Sequence, residues 1–506
     1  MTTQTTSTPL AGAEARRAAR NAVAIVVSRI ISSGALFVWS LILAGLLGDS
    51  DFGIYNAIAA LYLIGAAMTS FSLSQIVIRE VARQPELAGK YLGITLILQT
   101  VLALFAYVSM NAAALAFGYD DTLRGLTAIA CISLLIDMLG NMCYDQLIAQ
   151  ERMVTTASID LAHVVIRIVL AALALWAGFG LLGIYVVTLL TGIGRSILLW
   201  TMLLKTGVRP VLPLDWSLAR PLLINSAPLA LSSFINMTYV QIDKLMTTSL
   251  LTTADTGHLS AAFIIVIGVV EILSTTVLIA LYPMMSRTYQ PGNAHNATFF
   301  FIVEKLSFFT LLIGLPLGLL CTSFAAEIAV PLFGEDFRPA ADVLRVLIWY
   351  AVITIVVNVF AQAMMVQNRQ RFYVAVRAGG LILKLVLNLM LLPRIGVVGA
   401  ALASVVAEAL VLAALAGAFK LDWRALSPRL LRIVGAVLAA TATMFALGAI
   451  HPILGMIGGL AVYAGAILLL GVLANDDWDL LYRLTAAVPG GSLLLRRWRR
   501  DVKLNW

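Results

Sequence analysis

Apolar stretches of about 20–25 residues, the length that crosses a bilayer as a helix, follow one another from Ala22 to Leu470 with short polar breaks between them. Hydropathy resolves roughly fourteen of them. The pattern predicts spans over 22–47, 54–78, 92–116, 124–148, 154–177 and 181–204, then over 222–249, 259–285, 299–322, 341–364, 371–392 and 397–419. Two shorter spans follow near 431–450 and 453–473. Polar links bearing Arg209-Pro210 and Pro213, and later Pro428, separate these groups. The expected fold is an all-α polytopic membrane protein. It has a tail over 1–21, a first lobe over 22–205, a linker over 206–221, a second lobe over 222–420, accessory spans within 431–473 and a tail over 474–506. The stretch from Ala325 to Ala340, with Glu327, Pro331 and Gly334-Glu335-Asp336, is too short and polar to span and reads as an interfacial turn.

The two lobes repeat each other. Leu46-Leu47 followed by Asp51-x-Gly53 is matched by Leu250-Leu251 and Asp255-x-Gly257 at the same internal spacing. Gln150-x-Arg152 is matched by Gln367-x-Arg369, and Gly180-x-x-Gly183 by Gly396-x-x-Gly399. Six spans per repeat is an even number, so both repeats enter the membrane in the same direction. They are expected to be related by an axis along the membrane normal, as in parallel-repeat transporters.

Composition and charge sharpen this picture. The chain is 61% hydrophobic and 12% charged, with mean hydropathy +0.96; soluble chains carry about twice that charged fraction. The net charge of +8 is a topology signal and not a nucleic-acid footprint. About 23 Lys and Arg side chains fall in one set of alternate loops and tails, and about three (Arg124, Arg338, Arg394) in the other. Both termini are therefore expected on the cytoplasmic side of the membrane, which the family resemblance given below implies to be a bacterial or archaeal cytoplasmic membrane. Met1 to Asn21 lacks a cleavable signal pattern. The basic, Trp-containing segment Arg496-Arg497-Trp498-Arg499-Arg500 suits either contact with anionic membrane lipid or simple disorder. Cys131, Cys143 and Cys321 show no metal-type spacing, no phosphate-cradling loop is present, and no catalytic or cofactor motif stands out. The chain reads as a non-enzyme.

Ionisable groups inside the spans are the candidate chemistry, because each costs about 2.5–3.5 kcal/mol at mid-bilayer unless it faces protein or water. Arg29 lies in the first span and Asp137 in the fourth. Asp160, His163 and Arg167 share one face of the fifth, while Arg377, Lys384 and Asn388 share one face of the eleventh. Glu271 and Glu408 lie in the eighth and twelfth. The offset that aligns Gln150 with Gln367 carries Arg167 onto Lys384. If both stripes face inward, two like charges confront each other across a gap, an arrangement that an anion would relieve. Arg29, Arg167, Lys384, Arg377 and Asn388 are thus the expected substrate contacts. Asp137, Asp160, Glu271 and Glu408 are candidates for coupling to protons or ions.

These residues also resemble a known family. Ser28-Arg29-Ile30, Asp51-Phe52-Gly53-Ile54-Tyr55, Ala227-Pro228-Leu229-Ala230 and Gln241-Ile242-Asp243-Lys244 are similar to the polysaccharide transporter (oligosaccharide flippase) family. Gly334-Glu335-Asp336-Phe337 and Leu392-Pro393-Arg394-Ile395-Gly396-Val397-Val398-Gly399-Ala400-Ala401 fit as well, and the likeness covers about residues 20–475. The resemblance implies two six-helix lobes in a V shape plus two accessory helices, alternating between inward- and outward-open states. It implies undecaprenyl-pyrophosphate-linked sugars as substrates, with polysaccharide polymerase and glycosyltransferases as expected partners. On that reading Asp51, Gly53 and Asp243 are family-motif positions of structural use. A multidrug or cation antiporter of the related extruder branch and a lipid II flippase remain open as other functions.

Overall fold

The computed structural model describes residues 9–212, 215–290, 296–419, 423–473 and 477. The described residues are built from α-helices. In chain order these are α1 (Pro9–Ser70), α2 (Leu73–Arg83), α3 (Ala88–Ala116), α4 (Asp121–Ala149), α5 (Met153–Trp176), α6 (Gly180–Leu204), α7 (Trp216–Leu250) and α8 (Thr253–Thr288). There follow α9 (Ala297–Ser323), α10 (Ala325–Phe333), α11 (Ala340–Val366), α12 (Gln370–Ile395), α13 (Val398–Ala418), α14 (Trp423–Gly448) and α15 (Pro452–Leu469). Among the described residues, 13 helical segments are long and apolar enough to cross a membrane. The first of these, Ile30–Arg83, covers most of the first expected span and all of the second. No loop parts them: α1 runs on through Gly48, whose φ of 70° and ψ of 179° break the helical path inside it. The chain is a multi-pass membrane protein, and apolar side chains left outward, such as Phe105, Val108 and Val169, are what a bilayer requires.

Two expectations about local structure change. The second span does not run to residue 78, because Phe71 and Ser72 take positive φ values of 46° and 52° and end α1. The following α2 is a separate amphipathic helix that buries Leu73, Ile76, Val77 and Val81. The 325–340 stretch is not a mere turn. It forms α10 and a 3-10 turn at Glu335–Phe337, because Ala329, Phe333 and Phe337 are apolar enough to bury. In that turn Arg338 hydrogen-bonds Glu335 and holds its carboxyl below the usual carboxylate range.

The chain separates into two compact units, one of Met1–Ile265, Ala329–Val343 and Val374–Ala407, the other of Val266–Ile328, Leu344–Tyr373 and Glu408–Trp506. This division does not follow the boundary between repeats. Within the first unit, α1, α4, α5 and α6 pack around Trp39, Leu43, Ile58, Ala130, Ile184 and Tyr185, joined by Phe333 and Phe337. Within the second, α9 packs on α14 and α15 through Phe308, Leu319, Ala440, Met444, Tyr463 and Ile467. There Tyr463 donates to the Leu312 carbonyl at 3.0 Å. The buried Asp477 pairs with Lys305; the remainder of the 474–506 tail, including Arg496 to Arg500, lies outside the described residues.

The repeat becomes visible in space where the first unit brings its matched motifs together. A Cβ on Gly53 would stand 1.7 Å from the carbonyl oxygen of Thr253, and one on Gly257 would stand 2.1 Å from that of Asp49. The offset of 204 that pairs Gly53 with Gly257 also pairs Asp49 with Thr253. Each glycine therefore meets the backbone position equivalent to the one its counterpart meets, as a local two-fold relation requires. Ser50 and Thr253 hydroxyls close this crossing at 2.7 Å. His258 Nε2 adds contacts to Asp49 at 3.3 Å and to the Asp336 carbonyl at 3.1 Å. Asp51 itself is exposed.

The linker is also tied down. Val211 N donates to the Gly89 carbonyl at 3.0 Å, and a Cβ on Gly93 would lie 2.2 Å from the Val211 carbonyl oxygen. Asp215 caps α7 through Ser217 N and meets Lys90 at 3.1 Å. Ser217 and then Lys90 hold the Asp215 carboxyl below its usual range. That direction places the contact's contribution above the ordinary Asp pKa, with loss as pH falls through the depressed value.

Candidate functional site: a polar recess in the first unit

Helix α5 carries Asp160, His163 and Arg167 because spacings of three and four residues return to the same helical face. Facing that stripe are Asp137 and Asn141 on α4, Arg195 on α6 and Tyr62 on α1. Together with Ser28 and Ser32 they line a recess of about 510 Å³. Its depth follows from helix geometry. Arg167 stands 14 residues beyond Met153, the start of α5, or about 21 Å along a helix rising 1.5 Å per residue. Lys384 stands the same 14 residues beyond Gln370, the start of α12.

The pairing inside the recess is specific. Arg195 Nε donates to Asp160 Oδ1 at 2.8 Å, and its Nη1 donates to Asn141 Oδ1 at 3.1 Å. Tyr62 donates its hydroxyl proton to Asp137. Arg167 lines the same space and has no hydrogen bond or ion pair among the described residues. Asp160 therefore does not pair with Arg167 along its own helix; a neighbouring helix supplies Arg195 instead. Arg195 is the residue that the sequence reading passes over, although it is as much a charged group within a predicted span as Arg167. The side chain of Arg29 lies outside the described residues, and only its place on α1 is known.

The second stripe is built differently. Arg377, Lys384 and Asn388 do share the buried face of α12, but that face lies against α7. Lys384 is fully buried; its Nζ pairs with Asp243 Oδ2 at 2.6 Å and donates to the Tyr239 carbonyl at 2.8 Å. Asn388 Nδ2 donates to Asp243 Oδ1 at 2.7 Å and Ser404 Oγ to Oδ2 at 2.6 Å. Arg377 stacks over the Tyr239 ring at 4.1 Å and donates to Asn236 at 3.3 Å. The expectation of two bare cations confronting each other is thus corrected, since Lys384 has its own carboxylate. The reason is legible in the repeat: offset 204 sets Trp39 in the first lobe where Asp243 stands in the second. The matched cation Arg167 has no such partner among the described residues.

The remaining candidates are scattered. Glu271 is exposed. Glu408 is fully buried and accepts from Thr354 at 3.1 Å. Neither lines the recess. No group of His, Cys, Asp or Glu among the described residues could hold a metal ion. Within the recess, Asp160→Asn is expected to leave Arg195 half-anchored and to cost about 1–2 kcal/mol, between exposed and buried pairs. A fall of a few degrees in the unfolding temperature of the detergent-solubilised protein would register it.

Duplicated helical bundles with a polar recess at mid-depth are the build of a membrane transporter, and known structures share the fold. Lipid II flippase MurJ in an inward closed conformation aligns over 88% of this chain and 98% of its own, with TM-score 0.67 and 13% identity. An inward-facing multidrug resistance MATE family transporter of the MOP superfamily aligns over 78% and 97%, with TM-score 0.59 and 14% identity. An outward-facing one aligns over 78% and 93%, with TM-score 0.53 and 17% identity. At these identities the likeness establishes the fold. No curated protein matches the sequence significantly. The polysaccharide biosynthesis protein family model matches residues 18–289, more than half of the 506 residues, and the chain belongs to that family.

Proposed function

We propose that the protein is a flippase that carries lipid-linked oligosaccharide units across the cytoplasmic membrane by alternating access, for assembly of a surface polysaccharide. The observation that supports this most is Arg167, a cation without a polar partner among the described residues, in a recess midway along the spans of a chain from a polysaccharide-biosynthesis family. A half-buried charge at that depth of a span is retained at a cost, and a ligand with negative charge relieves it. The carrier lipid is undecaprenyl pyrophosphate on this reading, with polymerase and glycosyltransferases acting before and after transport. Both termini face the cytoplasm. Asp137, held by Tyr62, and the Asp160–Arg195 pair are the groups in the recess that an ion or proton gradient would act on. Glu271 and Glu408 lie elsewhere.

Arg167→Ala is expected to abolish surface polysaccharide in cells that depend on this protein, with membrane abundance unchanged because Arg167 makes no hydrogen bond or ion pair among the described residues. Quantifying polymer and protein in the same cells checks this, and full polymer production by the variant would overturn the reading. A multidrug exporter is the second reading, since its fold is shared. Dye efflux that depends on the chain would favour it.

A further inference from the structure

The recess holds its charges in a particular order. Of the guanidinium groups lining it, Arg195 is engaged by Asp160 and Asn141, whereas Arg167 is unengaged among the described residues. Of the carboxylates, Asp160 carries Arg195, and Asp137 accepts from Tyr62 and from no other side chain among the described residues. Arg167 and Arg195 against Asp137 and Asp160 cancel formally. One more group is unused: His163 Nε2 is buried without a hydrogen-bond partner. It sits one helical turn before Arg167 on the same face of α5.

A fitting ligand has to satisfy these groups together. Arg167 requires an anion whose paired oxygens match its planar fork. Asp137 and Asp160 keep lone pairs free, which call for hydroxyl donors and repel additional negative charge. A pyrophosphate diester brings two negative charges and no donors, and here it would stand beside two carboxylates with, among the described residues, a single uncommitted cation. A sugar ring bearing one carboxylate brings one negative charge and several hydroxyl donors. It also offers a partner of either sense to His163 Nε2. The recess is bounded by α1, α4, α5 and α6, so a sugar distant from the lipid can enter it while the phosphate that bears the isoprenoid chain stays near the bilayer.

We infer that this recess is a subsite for an acidic sugar of the uronic-acid class, its carboxylate on Arg167 and its hydroxyls on Asp137, Asp160 and His163. The inference rests on the flippase reading and adds to it the chemistry of the carried unit: the oligosaccharide is anionic in its sugar part as well as in its phosphates. An enzyme that transfers a uronate from an activated donor must then act before this step.

The test uses the full-length protein in lipid nanodiscs, titrated with three probes. These are a disaccharide ending in glucuronic acid, the same disaccharide with the carboxyl reduced to a primary alcohol, and inorganic pyrophosphate. The acidic sugar is expected to bind about 10-fold or more tightly than its reduced form, as for a hydrogen-bonded charge pair. Arg167→Gln should remove that preference, Arg167→Lys should retain part of it, and pyrophosphate should not compete. Equal binding of both disaccharides, no binding of either, or displacement by pyrophosphate would each overturn the assignment. Its failure is separable from that of the flippase reading. Cells rescued by the unsubstituted chain, with no carboxylate preference in the nanodiscs, sink only the acidic sugar, whereas absence of rescue sinks the transport function.

Discussion

Lys384→Ala is expected to remove the protein from the membrane, and not to leave a folded but inactive transporter. The ammonium lies fully buried against Asp243, which is itself fully buried and also receives Asn388 and Ser404. Deleting one partner of such a pair leaves a lone charge in a low dielectric and costs about 3–5 kcal/mol. That is a large share of the roughly 5–15 kcal/mol by which folded proteins are stable. Asp243→Ala should be at least as damaging, because three donors lose their acceptor. The combination of Asp243→Asn with Lys384→Met removes both charges, fills similar volume and keeps an amide oxygen for Asn388 and Ser404. It should recover most of the lost abundance and unfolding temperature. A Lys384→Ala protein present at normal level but unable to transport would instead return Lys384 to the substrate.

Gly53→Ala and Gly257→Ala are expected to force the matched motifs apart. The new Cβ would stand within 1.7 Å and 2.1 Å of backbone carbonyl oxygens, and backbone cannot swing aside as a side-chain tip can. Overpacking typically costs about 1–3 kcal/mol, and this contact is closer than such cases tolerate, so the crossing should open. Ser50→Cys with Thr253→Cys offers a direct readout, since the native hydroxyls lie 2.7 Å apart and the native cysteines are buried. Oxidative cross-linking should be efficient on the parent background and largely lost when either alanine is added. Gly34→Ala and Gly45→Ala, where a Cβ meets nothing within 4 Å, should leave cross-linking unchanged. Undiminished cross-linking in the Gly53 or Gly257 variants would contradict the close approach.

The physical reason that most spans were legible is that a bilayer leaves a helix few choices of length and composition. The repeat is legible too, down to the matched spacing of Gly53 and Gly257, whereas the meeting of the two motifs shows only in the structure. The direction of each polar stripe was not. Periodicity shows that Arg377, Lys384 and Asn388 share a face, but it does not show whether that face meets water or a neighbouring carboxylate. Asp243 on α7 decides the matter, and it lies 141 residues before Lys384. The break at Phe71 and Ser72 carries no sequence signal because neither residue is a habitual occupant of positive φ. Arg195 is invisible to single-helix periodicity for a simpler reason: its partner Asp160 is on another helix.

The most direct test measures flipping itself in proteoliposomes, using a fluorescently tagged lipid-linked oligosaccharide drawn from cells that make the polymer. The parent chain, Arg167→Gln and the charge-free Asp243→Asn, Lys384→Met pair would be compared at equal protein density. Arg167→Gln should lose at least about 10-fold in rate, the effect of one lost charge-assisted contact, while the charge-free pair should transport at a rate close to that of the parent. Transport by Arg167→Gln at the parental rate, with the charge-free pair folded but inactive, would place the working cation on α12 and contradict the assignment made here.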